Sequence, residues 1–186
     1  MKKTEALVIR KIPYGEADLM VDLFTRGMGK VRSIAKNARL SKRRFGGRLE
    51  PYQLLNVLLR DRRNAMTLLV DSEVVRVFPS FAQNLNLFLW GNLILETIDI
   101  LMPLEDPDQR VFDLAVEAIA SLDSEEDAER YIPVFQLNML SLAGYKPDFP
   151  VGEVQGVKTI KKLCRFTERH TGKLYKSLRF LEGLKE

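Results

Sequence analysis

The spacing of apolar residues changes once along this chain, and the change falls at Phe78-Pro79-Ser80. Before that point hydrophobic residues tend to alternate in short runs broken by Gly, Pro and Asn. After it they return about every 3.6 positions. Strand side chains alternate between two faces, whereas helical ones come back to the same face after three or four residues, so the two stretches bury themselves differently. The spacing predicts an α+β protein, with an all-β domain over 1–79 followed by an all-α domain over 80–186.

Five strands are expected in the first domain. TEALVIRKI (4–12) reads as a strand buried on both sides and ends at the turn Pro13-Tyr14-Gly15. From Ala17, Leu19, Val21 and Leu23 face one way and Met20, Asp22 and Phe24 the other. After Gly27-Met28-Gly29, a third strand over Lys30–Ala35 separates Val31, Ser33 and Ala35 from Lys30, Arg32 and Lys36, with Ile34 among the cations. Pro51 is expected to open a fourth strand, Tyr52 to Arg60. The turn Asp61-Arg62-Arg63-Asn64 leads to a fifth, Met66 to Val75, with Met66, Leu68, Val70 and Val74 on one side. Five strands in so short a span are the count of a small closed barrel. The oligonucleotide-binding (OB) fold is expected, with an SH3-like barrel as the competitor that a count alone leaves open.

The helical part should begin with one long helix capped at Ser80 and running to about Leu101, apolar nearly all round and so central to a bundle. Asp106-Pro107 should start a second, whose stripe is Val111, Ala115, Ala118 and Leu122. Ser124 with Asp127 resembles a capping box for a third, kinked at Pro133 and stopped by Gly144. Residues 146–156 read as a loop. Two short basic helices, Lys158 to Glu168 and Lys176 to Leu184, should close the chain around His170-Thr171-Gly172.

Charge is unevenly placed. Residues 1–80 hold 17 Lys+Arg against 8 Asp+Glu, residues 81–153 hold 3 against 14, and residues 154–186 hold 9 against 3. A basic head, an acidic middle and a basic tail imply separate surfaces for separate partners. Within the head, Arg26 to Arg48 carries nine cations and no acid, the footprint expected for a polyanion, because each Lys or Arg at a phosphate releases a condensed counterion. Phe45 offers a ring for packing on the barrel or stacking on a base, and Gly46-Gly47 lets a backbone approach closely.

Catalytic chemistry has little to stand on. The one histidine, His170, lies in a polar turn, and the one cysteine, Cys164, follows Leu163 on an apolar helix face and reads as a core thiol. Neither a phosphate-binding glycine pattern nor a disulfide framework is present. With no apolar run of about 18 residues and no leader-like segment, the chain is expected to be a cytoplasmic binding protein, with no enzymatic activity, cofactor, metal site or membrane partner.

Several segments, in order, resemble a known family. PYGEAD (Pro13 to Asp18), GKVRSIAKNAR (Gly29 to Arg39), SKRRFGGRLEPY (Ser41 to Tyr52), the run Met139 to Asp148 and GKLYKSLRFLEGL (Gly172 to Leu184) look like the RecO family of bacterial recombination mediators. The resemblance implies an N-terminal OB barrel and a C-terminal helical domain. It implies binding of single- and double-stranded DNA and annealing of complementary strands, in association with the nucleoid. It also implies work with RecR (and RecF) to load RecA onto DNA coated by single-strand-binding protein, contacted through that protein's acidic tail.

Carried onto this sequence, the DNA-facing positions are Lys30, Arg32, Lys36, Arg39, Lys42, Arg43, Arg44 and Arg48, to which the hairpin tip adds Arg62 and Arg63. The basic tail suits either a docked pair of amphipathic helices or an acidic-peptide groove formed by Lys161, Lys162, Arg165, Arg169 and Phe166. One departure stands out. Where many members carry a CxxC pair, this chain has Gly152 and Gln155, so it is expected to be a short member without the zinc module. Two other readings of the basic head stay open: an adaptor that docks on an acidic protein, and an RNA-binding OB protein.

Overall fold

The computed structural model describes residues 1–41, 44–62, 65–124, 127–147 and 156–182. It divides into two compact units, residues 1–78 with 103–112 and residues 79–102 with 113–186. The segment 103–112, on the helical side of the expected boundary, therefore lies in the barrel unit.

Five strands form the barrel: β1 (Lys2–Tyr14), β2 (Asp18–Thr25), β3 (Gly29–Ala35), β4 (Leu54–Arg62) and β5 (Ala65–Arg76). They close in the order β1-β2-β3-β5-β4, antiparallel throughout except for the parallel pair β3–β5. That order decides between the two barrels left open by strand count, and the fold is OB. Leu23, Val21, Val31, Ala35, Leu55, Val57 and Leu59 fill the interior, as the alternation predicted for β2 and β3. Phe45, Ala38 and Leu49 join them from the loop after β3. Phe45 is thus a core residue and not a base-stacking one, and Arg44 lies 5.2 Å over its ring.

Three strands differ from expectation. β1 continues through Pro13 and Tyr14, which pair with Leu19 and Asp18, so the turn comes after them. β4 starts at Leu54, because Leu49 and Tyr52 both take positive φ (69° and 67°) and the chain turns through Pro51 instead of extending from it. In β5 the interior residues are Thr67 and Leu69, while Met66, Leu68 and Val70 are only half-buried. A register shift against β4 at Leu58/Leu59 then reverses the parity, and Val74 packs on the core.

The second unit comprises α1 (Ser80–Gln83), α2 (Leu85–Leu101), most of α3 (Gln109–Ser124), α4 (Ala128–Leu142), α5 (Val157–Thr171) and α6 (Leu178–Glu182). The single helix expected over 80–101 is broken at Asn84, whose extended backbone and side-chain oxygen cap α2 by accepting the N–H groups of Asn86 (2.9 Å) and Leu87 (3.2 Å). Ser80 does not cap; its hydroxyl donates to the Asp123 carbonyl. Helix α3 begins two residues after Pro107, and the Asp108 side chain, not Asp106, accepts the Arg110 N–H. Likewise Asp127 alone caps α4, while Ser124 bonds back into α3.

Pro133 sits inside α4 and has no N–H to offer the carbonyl of Glu129, four residues back. Gly156 supplies the missing donor at 2.9 Å, which ties the start of α5 to α4. At the other end Gly144 takes φ 81° and Tyr145 N–H reaches Leu140 O at 2.8 Å, a Schellman stop at the expected residue. Helix α5 buries Val157, Ile160, Leu163, Cys164 and Phe166 and leaves Lys158, Lys162, Arg165 and Arg169 exposed. Cys164 is a core thiol, pushed up to about 12 by burial. No helix among the described residues is long and apolar enough to cross a membrane.

Candidate nucleic-acid interface

With Leu19, Val21 and Leu23 turned into the barrel, the opposite parity of β1, β2 and β3 makes an outer face whose rows follow from register. Arg10 pairs with Asp22 and Asp22 with Arg32; Ile12 with Met20 and Met20 with Ile34. Leu7 and Phe24 continue this face toward the far end of the strands, where segment 103–112 covers it. There Phe112 packs 5.8 Å from Phe24, and Arg26 lies 4.6 Å over the Phe112 ring.

This cover corrects one expected site residue. Lys30 is 8% exposed, and its carbonyl accepts the Glu105 N–H at 2.9 Å. Period-two spacing put Lys30 on the correct side of β3, but a segment more than seventy residues later occupies that side. Arg32 and Lys36 are exposed and each holds an acid: Arg32 Nε bonds Asp22 at 2.8 Å and Lys36 Nζ bonds Asp18 at 2.6 Å. Arg39 and Arg44 are exposed, and among the described residues their guanidiniums bond backbone carbonyls, those of Glu16 (2.8 Å) and Lys36 (3.2 Å). A carbonyl orients a guanidinium without cancelling its charge, so these two carry the loop's positive potential outward. Arg48 is half-buried against Ser72 O (2.7 Å), and Arg62 against Met66 O (3.0 Å) at the other end of the barrel. Lys42, Arg43 and Arg63 lie outside the described residues.

Sequence reading missed Arg10, Asp22, Lys2 and Lys3. Lys2 and Lys3 are exposed and pair in register with Leu59 and Leu58, close to the β4–β5 hairpin that carries Arg62. Asp22 is 5% exposed and accepts from both Arg10 (2.6 Å) and Arg32. Burial works to raise its pKa, but the hydrogen bonds from Arg32 and Arg10 outweigh it and hold the carboxyl below the usual range. A depressed folded-state pKa stabilises the fold above the unfolded value of about 4 and loses that contribution as pH falls through the folded one. Asp22→Asn should therefore lower Tm at pH 7, by an amount corresponding to about 2 kcal/mol or less because both guanidiniums are half-exposed. The gap between variant and parent should narrow below pH 4. Thermal melts from pH 7 to 2 check this, and a constant gap would remove Asp22 from the account.

The loop also frames a cleft at the barrel mouth, about 430 Å³, lined among others by Pro13, Leu19, Arg39, Phe45, Gly47 and Arg48. In the helical unit a larger cleft, about 730 Å³, lies along α5 and is lined by Lys162, Arg165, Glu168, Arg169 and Leu174. The acid among its described lining residues is engaged, since Glu168 Oε1 accepts the Tyr175 N–H at 2.8 Å. The wall carrying Leu174 is fixed on both sides: Lys173 Nζ reaches Ile100 O at 2.9 Å, and the Tyr175 hydroxyl bonds Thr97 at 3.1 Å. Of the expected peptide residues, Lys162, Arg165 and Arg169 line this cleft. Lys161 is half-buried, and Phe166 is fully buried, with its ring 4.0 Å from His170. Phe166 cannot serve as an exposed apolar contact; Leu174, at 74% exposure, can.

Comparison with known proteins bears on both units. The family model described as Recombination protein O N terminal matches residues 1–78, and Recombination protein O C terminal matches 82–179. The chain belongs to the RecO family. Among its relatives named DNA repair protein RecO, that of Koribacter versatilis is 38% identical over 151 residues, 80% of this chain and 61% of the relative. Those of Thermodesulfovibrio yellowstonii and Anaeromyxobacter dehalogenans are 32% and 35% identical over 78% and 81% of this chain, and 58% and 63% of their own lengths. The chain thus spans about three fifths of the length of these relatives.

The RecO-like segments fall on the geometry just described. PYGEAD forms the β1–β2 turn, GKVRSIAKNAR is β3 with the turn after it, and the described residues of SKRRFGGRLEPY plug the barrel with Phe45 and Leu49. The β1–β2 turn and the turn after β3 therefore meet at one end of the barrel.

Proposed function

We propose that this RecO-family protein binds single- and double-stranded DNA through the barrel, anneals complementary strands, and helps RecA load onto DNA coated by single-strand-binding protein. RecR, and RecF with it, would be the working partners, and the cytoplasm, at the nucleoid, the place of action. The observation that carries this reading is the acid-free run from Lys36 to Arg48 after β3, whose exposed Arg39 and Arg44 bond carbonyls and no acid among the described residues, beside the β2–β3 face of an OB barrel. Annealing follows from charge neutralisation, since two strands on one basic surface repel each other less and meet at higher local concentration.

The cleft along α5 suits the acidic tail of single-strand-binding protein. Three cations ring an exposed leucine, and a short acidic peptide with apolar side chains needs both kinds of contact. DNA and tail would then occupy separate surfaces of one chain. Fluorescence anisotropy of a labelled single-stranded oligonucleotide across a salt series tests the first surface. Five or six phosphate contacts give a log–log slope of about −4 on single strands. A flat series, or tighter binding to RNA of equal length, would favour the adaptor or RNA-binding reading instead. Titration with a labelled copy of the acidic tail tests the second surface, with Arg165→Glu expected to abolish tail binding and spare DNA binding.

A further inference from the structure

The outer face of the barrel carries apolar side chains where a surface made only for phosphates would have none. Ile12 and Tyr14, on the same side of β1 as Arg10, are 39% and 43% exposed. Leu40, 75% exposed, is brought to the same end because Arg39 N–H bonds Ala17 O at 3.0 Å and its guanidinium bonds Glu16 O. Single exposed apolar residues are ordinary on protein surfaces. These three lie instead toward the end of the barrel that carries the β1–β2 turn and the cations Lys36, Arg39 and Arg44, and none of them is part of the barrel's core cluster.

We propose that Tyr14, flanked by Ile12 and Leu40, is a stacking surface for unpaired bases and gives this barrel a preference for single strands. The inference rests on the DNA-binding reading and adds to it the group that contacts bases. A partner for this surface must offer phosphates to the cations and flat apolar faces to Tyr14. A single strand offers both, whereas a duplex stacks its bases inside and presents only phosphates at such a surface. An aromatic ring stacks on any base, so the contact is sequence-tolerant. Tyr14 pairs in register with Asp18, whose carboxylate is held by Lys36 and by the Asn37 N–H, so the charge of the acid directly across from it is offset.

The 186-residue chain with Tyr14→Ala should bind a labelled single-stranded oligonucleotide about 5- to 100-fold more weakly. Its affinity for a duplex of equal length and its melting temperature should not change. Tyr14→Phe, which keeps the ring, should bind the single strand as the parent does. Equal losses on the two oligonucleotides, or undiminished single-strand binding by Tyr14→Ala, would overturn the stacking surface and leave DNA binding by the cations standing. A parent protein that binds neither oligonucleotide would overturn the DNA-binding reading itself, and the stacking surface with it.

Discussion

Replacing Arg39 and Arg44 together by Glu should weaken single-stranded DNA binding at least about 100-fold at about 50 mM salt, with little change in thermal stability. Each phosphate contact contributes about 0.7 to the log–log salt slope, which at that salt is close to a factor of ten per contact. Two lost contacts give about 100-fold, and the two new negative charges add repulsion. The salt slope itself should become shallower by about 1.4, so the difference from the parent shrinks as salt rises. Stability should hold because both guanidiniums are exposed and their resolved bonds go to the carbonyls of Glu16 and Lys36. Exposed bonds of this kind sit at the low end, about 0.5 kcal/mol each, or roughly 2–4 °C of Tm together in a chain of this size. A variant that binds DNA as tightly as the parent would move the phosphate site off this loop.

The same experiment on Arg32 or Lys36 should give a smaller effect, because Asp22 and Asp18 already take part of their charge. Sequence alone could not rank these cations. Alternation placed Arg32 correctly on the outside of β3, but Asp22 sits ten residues earlier and meets Arg32 only through the β2–β3 register. Lys30 shows the same limit more sharply. Its parity was legible, while its burial depends on residues 103–112 returning to the barrel, which no local pattern near Lys30 announces. Local signals served well where the cause was local. The alternation of β2 follows from its own side chains, and Gly144 ends α4 because the stop needs a positive φ at that residue. Asn84 is a local signal that the single-helix expectation passes over: a good cap inside an apolar run splits one helix into two. In the α5 cleft the cations at 162, 165 and 169 were legible from helical spacing, but Phe166 shares the buried face of that helix, and only the fold past Gly172 brings Leu174 to the cleft.

Gly29→Ala should destabilise the protein by about 3 kcal/mol, enough to lower Tm by roughly 6–12 °C. Gly29 has φ +66°, where a side chain costs about 1–2 kcal/mol. A Cβ there would also stand 2.4–2.7 Å from the O, C and N atoms of Asp106, which are backbone and cannot rotate away. Gly47 isolates the two effects, since it has the same φ of +66° with nothing within 4 Å of a Cβ. Gly47→Ala should therefore lose only the conformational part, about 1 kcal/mol. In Gly29→Ala the chain can relieve the overlap by moving segment 103–112 off β3, which breaks the bond from Glu105 N–H to Lys30 O. Hydrogen exchange at the Glu105 amide should accelerate in Gly29→Ala and stay unchanged in Gly47→Ala. The displaced segment would also uncover Lys30, so Gly29→Ala should bind DNA somewhat more tightly per folded molecule even as it melts earlier. Equal melting shifts for the two alanine variants would mean that residues 103–112 do not press on β3, and Lys30 would then rejoin the exposed cations of the proposed DNA face.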